Sequence, residues 1–278
     1  MDPLSQLLQD KVAIVTGVTS GLGEGVARVF GARGARVAGM ARRIDRGRKL
    51  EAEIPNFHFL AGDVAHAADC ERVVAETLER FGRIDILINN AGSSGTRKVV
   101  PTHELDESEW DEIIDVNLKG AVFMSRYALP SMRERRSGVI INIASNAAVI
   151  GLANMTAYNA SKAGLVQASQ TMAVENLEHN VRVMAILLGS VASEMSDITA
   201  LAFGRHLRGP DWTPTVQLSD SGALWRGEDV ARTLSLLCHD DAKTITGTTI
   251  AIDQAGAAGA FASHFMYMAS AGLLPGMK

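Results

Sequence analysis

The sequence predicts an α/β fold: a doubly wound, mostly parallel sheet of seven strands with helices on both faces. Short apolar, β-branched runs alternate along the chain with helix-length segments, which is the pattern of βαβ units. The runs lack alternating polar positions, so both faces of each strand should be buried. A chain of 278 residues, of which 47% are hydrophobic, can form this sheet as a single domain over 1–278.

The predicted strands are the apolar runs at 12–15, 36–40, 58–60, 84–88, 138–143, 182–187 and 249–252. The intervening segments predict helices at 23–31, 67–81, 108–126, 157–177 and 228–237. Parallel strands end at one edge of a sheet, and ligands bind there near the point where the strand order reverses. The residues directly after each strand are therefore the candidates for a functional site.

Composition and charge argue against several classes of protein. A formal net charge of −4 and a pI near 6.0 give no indication of a nucleic-acid partner. Two cysteines, Cys70 and Cys238, favour free thiols over a disulfide framework or a zinc site. The first residues lack the features of a signal peptide, and the apolar run at 139–143 is far too short to span a bilayer. We expect a cytoplasmic protein without a membrane partner.

A glycine-rich segment, Thr16-Gly17-Val18-Thr19-Ser20-Gly21-Leu22-Gly23, follows the first strand and precedes a helix. Glycine lets the backbone turn tightly and approach a pyrophosphate, while the amino end of the helix favours the negative charge. The residues predicted to contact a dinucleotide here are Gly17, Thr19, Ser20, Gly21, Leu22 and Gly23. An ordinary βα turn is the alternative.

The second strand leads into Met40-Ala41-Arg42-Arg43, without the carboxylate that binds the ribose 2′-hydroxyl in NAD(H) sites. Guanidinium groups bind phosphate through forked, charge-assisted hydrogen bonds. Arg42 and Arg43 therefore favour NADP(H) over NAD(H), although NAD(H) stays open. For Arg43, simple exposure to solvent is the alternative.

Residues after the third and fourth strands complete the predicted cofactor site. Asp63 is expected to accept a hydrogen bond from the adenine amino group, and Val64 is expected to flank the ring. Asn89 is predicted to be structural and to join neighbouring strand ends. The residues expected to leave room for a cofactor after the fourth strand are Asn90, Ala91 and Gly92.

Tyr158 and Lys162 stand one helical turn apart, and residues four apart share a helix face. A free tyrosine has a pKa of about 10, and lowering that pKa to about 7 takes roughly 4 kcal/mol. A close, partly desolvated ammonium can supply energy of that order. The pair predicts a proton donor and acceptor for an alcohol or ketone, with a solvated helix face as the alternative.

Ser145 follows the fifth strand, thirteen positions before Tyr158, and Asn117 lies in the helix after the fourth strand. With the glycine-rich loop and Lys162, these residues make the chain resemble the short-chain dehydrogenase/reductase family over nearly its whole length. The resemblance implies a Rossmann-type sheet, a nicotinamide dinucleotide cofactor and direct hydride transfer between a carbonyl and an alcohol. No grouping of His, Cys and carboxylate residues suggests a metal.

The resemblance also implies a role for each residue. Tyr158 would be the general acid in ketone reduction and the base in alcohol oxidation. Lys162 would lower the pKa of Tyr158 and hold the nicotinamide ribose. Ser145 would hydrogen-bond the substrate oxygen and stabilise its developing charge. Asn117 would position a water that links Lys162 to solvent.

The chain departs from the family pattern in two loops. After the sixth strand, Met184 and Leu188 stand where an asparagine and a proline are usual. Ser193 replaces a threonine and is expected, with Val191, to contact the cofactor. Near the end, Asp253-Gln254-Ala255-Gly256 replaces the usual Asp-Gly-Gly. We expect these changes to affect loop geometry rather than the chemistry.

The mostly apolar segment 191–227, here called the lid segment, lies where the family has its substrate lid. It favours a hydrophobic ketone or secondary alcohol as substrate. A carrier-protein ketoacyl reductase is the enzymatic alternative, with Arg133, Arg135 and Arg136 as candidate contacts for an acidic carrier. A non-catalytic dinucleotide-binding sensor is the alternative of another class, although such proteins typically lose the tyrosine or the lysine.

The resemblance further implies assembly into a homodimer or homotetramer, because family members pair the helices at 108–126 and 157–177 across a twofold axis. The apolar residues of the second helix suit burial on two sides. The tail at 257–278 is too apolar for a free end. We expect it to pack against a neighbouring subunit or to close the substrate pocket.

Overall fold

The computed structural model describes residues 4–95, 99–256 and 258. The strands in this part of the chain are β1 (Val12–Thr16), β2 (Arg36–Ala41), β3 (Phe57–Ala61), β4 (Ile86–Asn89), β5 (Gly138–Ile143), β6 (Val181–Leu188) and β7 (Thr249–Ile252). They form one parallel sheet in the order β3-β2-β1-β4-β5-β6-β7. The predicted fold class is confirmed. The tail predicted at 257–278 lies outside the described residues, apart from position 258.

The helices among the described residues are α1 (Gly21–Ala32), α2 (Ile44–Glu53), α3 (Ala67–Phe81), α4 (Glu107–Ile114), α5 (Gly120–Glu134), α6 (Thr156–Asn176), α7 (Glu194–Arg208) and α8 (Gly227–Cys238). None of these described helices is long and apolar enough to cross a membrane. The sequence did not predict α2 or α7. It also predicted one helix at 108–126, whereas a π-helical turn, Asp115–Lys119, separates α4 from α5.

The hydrophobic core lies in two layers, one on each face of the sheet. Neighbouring residues of β5 belong to opposite layers: Ile140 packs with side chains of α3 and α5, and Ile141 with those of α1 and α8. This explains why the strands are mostly apolar and show no alternation of apolar and polar positions. The helices α1 and α8 approach closely at a glycine pair, where a Cβ on Gly25 would lie 2.3 Å from the carbonyl carbon of Gly227.

Polar side chains hold the carboxyl ends of the central strands together. Thr16 Oγ1, at the end of β1, accepts hydrogen bonds from the backbone N–H groups of Asn90 and Ala91, each at 3.0 Å. Asn89 Nδ2, at the end of β4, donates to Asn142 Oδ1 of β5 at 2.8 Å. Asn89 is therefore structural, as predicted. The strand order reverses between β1 and β4, and a cleft opens at this edge of the sheet.

The turn after β7 carries backbone strain. Gln254 and Ala255 both adopt left-handed conformations, with φ of +54° and +63°. They stand where the family pattern usually has two glycines. A side chain in this region costs about 1 kcal/mol or more relative to glycine, so the departure from the family pattern has a local energetic cost.

We predict that Ala255→Gly stabilises the protein by about 0.5–1 kcal/mol, because relief of the left-handed strain exceeds the entropy that glycine adds to the unfolded chain. Equilibrium denaturation in urea should show a higher midpoint. Ala223→Gly, at a loop position without a positive φ, is the control and should lower the midpoint. A lower midpoint for Ala255→Gly would contradict the strained turn.

Candidate active site

A cleft of about 730 Å³ opens at the carboxyl edge of the sheet. Its wall is built from segments that follow β1 to β6 and from residues of α6 and α7. All of the site residues predicted from the sequence line this cleft except Gly21, Gly23 and Asn117. The structure therefore brings most of the predicted cofactor and catalytic residues into one cavity.

Two glycines of the glycine-rich segment stand where close packing leaves no room for a side chain. Gly17 has a φ of +71°, and a Cβ there would lie 3.0 Å from Ala91 Cα. A Cβ on Gly23 would lie 2.1 Å from the Gly17 carbonyl oxygen, which explains a glycine that does not face the cleft. The helix α1 begins at Gly21, and Ser20 makes no capping hydrogen bond. The N–H groups of the first turn are thus left for an anion, which fits a pyrophosphate.

The two arginines after β2 take different positions. Arg43 lies against the glycine-rich loop, where Nε donates to Thr19 Oγ1 at 3.0 Å and Nη2 donates to Ser20 Oγ at 2.8 Å. Arg42 has a side chain that is 71% exposed, and it pairs with Asp63 at 3.6 Å. Arg43 therefore contacts the glycine-rich loop, and Arg42 is the more exposed of the two arginines. Binding of a phosphate by either residue stays a prediction.

The other predicted cofactor residues form the wall between β3 and β4. Asp63 Oδ1 accepts from the backbone N–H of Ala65 at 3.0 Å, and Val64 beside it is buried. Asn90 Nδ2 donates to the Thr16 carbonyl at 2.9 Å. The Asn90 side chain thus holds the loop in place. Contact of these residues with adenine or ribose stays a prediction.

Asn117 is buried in the π-helical turn between α4 and α5. Its Oδ1 accepts from Ser93 N–H at 2.7 Å, and its Nδ2 donates to the Ser93 carbonyl at 2.8 Å and to Ser161 Oγ at 3.0 Å. A Cβ on Gly92 would lie 3.3 Å from Asn117 Oδ1 and 3.6 Å from Lys162 Nζ. Asn117 therefore joins the loop after β4 to α6 beside Lys162. Its predicted water stays a prediction.

Three polar side chains meet where β5 ends. Lys162 is only 4% exposed, and its Nζ donates to the Ile143 carbonyl at 2.9 Å. The same Nζ lies 5.8 Å from the centre of the Tyr158 ring. Ser145 begins a short 3₁₀ turn, and its Oγ accepts from Ala147 N–H at 3.1 Å. Ser145, Tyr158 and Lys162 all line the cleft, as their spacing predicted.

Burial determines the acid–base properties of the pair. It lowers the pKa of the Lys162 ammonium to about 8. It also raises the pKa of the Tyr158 phenol, and a hydrogen bond with Ser145 opposes only part of that rise. The net pKa of Tyr158 is therefore raised, because loss of water around the phenol outweighs the Ser145 hydrogen bond. A lowering contribution from Lys162 stays a prediction.

The lid segment forms the apolar part of the cleft. Its larger apolar lining residues include Met195, Ile198, Phe203, Trp212, Val216 and Leu218. Trp212 packs directly on α7, because a Cβ on Gly204 would lie 1.9 Å from its ring. Trp225 does not line the cleft. It packs against the hydrophobic core on the α1 and α8 face of the sheet, and so joins the lid segment to the body.

Sequence reasoning missed three acidic residues that line the cleft, Glu112, Glu194 and Asp197. Glu112 Oε1 accepts from Ser93 Oγ at 3.3 Å. Glu194 forms ion pairs with Arg43 and Arg46. A serine followed by an acidic residue marks a helix start at Ser193, and this signal was available. The ion pairs join residues about 150 positions apart, and no local pattern predicts such a contact.

Known proteins are similar to this chain over most of its length. A family model described as short chain dehydrogenase matches residues 11–200. An uncharacterized oxidoreductase from Thermotoga maritima is 34% identical over 254 residues, which are 88% of this chain and 96% of that protein.

Two solved structures are similar in fold. A levodione reductase superposes with a TM-score of 0.82 and 28% identity, covering 91% of this chain and 99% of that one. A 3-ketoacyl-(acyl-carrier-protein) reductase from Brucella melitensis, complexed with NADH, superposes with a TM-score of 0.77 and 29% identity, covering 90% and 99%.

The pKa of Tyr158 can be tested by ultraviolet titration of the protein without added cofactor. The difference between wild type and Tyr158→Phe isolates the phenolate signal of this one residue. Because burial raises its pKa from 10.0, we expect Tyr158 to ionise only above pH 10. A difference signal that appears near pH 7 would show that the Lys162 charge outweighs burial.

Proposed function

The chain belongs to the short-chain dehydrogenase family, and we propose that it interconverts a ketone and a secondary alcohol on a small, mostly apolar molecule with NADP(H) or NAD(H). This proposal depends on one observation: the residues predicted for proton transfer and those predicted to bind the cofactor line the same cleft. It contains Ser145, Tyr158 and the buried Lys162, and it also contains the glycine-rich loop and Arg43. Hydride and proton transfer to one carbonyl require both sets within reach of the same substrate.

A nicotinamide cofactor would supply or accept the hydride. The uncapped first turn of α1 would hold its pyrophosphate. Lys162, whose Nζ is already fixed by the Ile143 carbonyl, has further N–H donors for the nicotinamide ribose. Side-chain hydrogen bonds of Thr16, Asn89 and Asn90 join the neighbouring strand ends. They hold the reacting groups in position at this edge of the sheet.

Tyr158 would donate its proton to the carbonyl oxygen during reduction, while Ser145 donates a hydrogen bond to the same oxygen. The raised pKa of Tyr158 keeps the phenol protonated until that oxygen becomes basic. With a pKa of about 8, Lys162 is mostly protonated at pH 7, and its charge stabilises the phenolate left behind. In alcohol oxidation the same groups act in reverse.

The lining of the lid segment supports an apolar substrate. Phe203 and Trp212 offer aromatic surface, and Leu152 and Met155 from the loop before α6 add further apolar lining. Similarity to a levodione reductase is consistent with a cyclic ketone. Glu112 is an acidic group in this cleft, and it disfavours substrates with a carboxylate nearby.

We propose NADP(H) as the preferred cofactor. Arg43 is held beside the glycine-rich loop by Thr19 and Ser20, so its guanidinium is preorganised for a phosphate at this position. Arg42 adds a second positive charge, although Asp63 lies beside it. NAD(H) remains a second cofactor, which the NADH complex of the ketoacyl reductase relative supports.

A 3-oxoacyl-carrier-protein reductase is the second candidate, favoured by similarity to enzymes of that name. Two of the three arginines expected to contact an acidic carrier weigh against it. Arg133 donates to Asn176 and also contacts the His179 ring, and Arg135 is paired with the buried Asp85. These arginines are occupied within the fold. A dinucleotide sensor is the non-catalytic candidate, and turnover of any ketone would exclude it.

We also propose that the protein is a homodimer or homotetramer in the cytoplasm. Val174 of α6 and Leu177 just after it are 78% and 65% exposed, and burying them against a second copy would remove apolar surface from water. The buried thiols of Cys70 and Cys238 are free, which suits a reducing compartment.

We predict that Tyr158→Phe lowers kcat by about 10²- to 10⁴-fold, because the variant lacks the proton donor. A spectrophotometric screen of ketones and secondary alcohols with NADPH, NADH, NADP⁺ and NAD⁺ supplies the substrate for this test. NADP⁺ affinity, measured by calorimetry, should change little. Tyr127→Phe, which removes a hydroxyl from α5, is the control and should retain full activity. Substantial turnover by Tyr158→Phe would assign the proton to another residue.

We predict that Arg43→Ala raises the KM for NADPH about tenfold or more, because one charge-assisted contact to phosphate is lost. The KM for NADH should rise much less, since NADH has no 2′-phosphate. Arg48→Ala removes an arginine of α2 that pairs with Glu51 and serves as the control. A wild-type enzyme that clearly prefers NADH would show that the proposed preference is wrong.

A further inference from the structure

Glu194, the first residue of α7, lies between two arginines of the segment after β2. Its carboxylate pairs with Arg43 Nη1 through Oε2 and with Arg46 Nη1 through Oε1, the latter at 2.5 Å. Arg43 is the residue that precedes α2, so one carboxylate joins the start of α7 to the start of α2. We call these three residues the Glu194 clasp.

The carboxylate of the clasp is charged at neutral pH. Burial would raise the pKa of Glu194, but the hydrogen bonds from Arg43 and Arg46 outweigh burial and lower it. The Glu194 carboxylate therefore stays negatively charged beside Arg43, the residue that is proposed to bind the 2′-phosphate.

The two arginines of the Glu194 clasp face different cavities. Arg43 lines the large cleft. Arg46 lines a neighbouring cavity of about 420 Å³, and Glu194 lines both. A group that enters the large cleft can therefore compete with Glu194 for Arg43 and leave the bond to Arg46 in place.

The Glu194 clasp lies where the lid segment joins the body. Ser193 caps α7 by accepting from Ser196 N–H at 3.2 Å. It also packs on the glycine-rich loop, where a Cβ on Gly21 would lie 2.7 Å from Ser193 Cβ. A change at Glu194 therefore acts on the first turn of α7, which also supplies the apolar lining residue Met195.

We propose that Glu194 is a residue that determines cofactor specificity and couples the cofactor to the lid segment. A 2′-phosphate on the adenosine ribose takes Arg43 from Glu194. The first turn of α7 then keeps only the ion pair with Arg46 and is held less tightly to the start of α2. A 2′-hydroxyl carries no charge and leaves the Glu194 clasp closed. The inference rests on the proposed function in one respect, that a dinucleotide binds in this cleft, and it does not require hydride transfer.

Electrostatics predicts the direction of the effect. The carboxylate of Glu194 opposes a 2′-phosphate in two ways, because it occupies N–H donors of Arg43 and places a like charge close to the phosphate. Neither effect applies to NAD⁺. Removing the charge of Glu194 should therefore strengthen NADP⁺ binding selectively.

Calorimetric titration of the full-length protein with NADP⁺ and with NAD⁺ tests this exchange. For Glu194→Gln we expect the Kd for NADP⁺ to fall about tenfold, while the Kd for NAD⁺ changes by less than about twofold. Glu107→Gln removes the same charge from the first, exposed position of α4 and should change neither Kd. In the Arg43→Ala background, Glu194→Gln should no longer strengthen NADP⁺ binding.

Hydrogen exchange of peptides that cover 194–208 gives a readout independent of affinity. NADP⁺ should accelerate exchange in the first turn of α7 relative to NAD⁺, and Glu194→Gln should exchange fast with either cofactor. Equal changes of both affinities, or exchange that does not distinguish the two cofactors, would overturn the proposal. If no ketone is reduced but these binding results appear, the proposed function fails and the role of Glu194 stands.

Discussion

A buried ammonium at the end of β5 is the constraint on which the site depends. Lys162 is almost excluded from water, and the Ile143 carbonyl offsets only part of that loss, as the lowered pKa of about 8 indicates. The helix α6 must carry Lys162 to this strand end. Tyr158, one turn earlier on the same helix, is thereby placed at the cleft. Asn117 strengthens the arrangement through its hydrogen bond to Ser161 of α6.

The rest of the site follows from the order of the strands. Because β4 lies between β1 and β5, the glycine-rich loop, the Asn90 loop and Ser145 come from neighbouring strand ends. Thr16 and Asn89 join these ends through side-chain hydrogen bonds. The cofactor loop and the proton donor are therefore held by one rigid edge of the sheet. The opposite wall belongs to the lid segment, whose attachment includes Glu194.

Sequence predicted those features that are local. Strands buried on both faces produce continuous apolar runs, and Tyr158 and Lys162 are four residues apart, so both patterns were visible. The helix α2 was missed because only Gly47 and Leu50 of it are buried, which leaves no apolar periodicity. The pairing of Arg43 with Glu194 depends on tertiary packing across 151 positions. The pKa of Tyr158 depends on how many protein atoms displace water around it, which no spacing reveals.

The most decisive measurement is a crystal structure of the protein with NADP⁺ bound. We expect the pyrophosphate at the first turn of α1 and the nicotinamide ribose within hydrogen-bond distance of Lys162 Nζ. The nicotinamide C4 should face the space between Ser145 Oγ and Tyr158 Oη. A dinucleotide bound elsewhere, or a nicotinamide ring turned away from Tyr158, would contradict the assignment of this cleft to hydride and proton transfer.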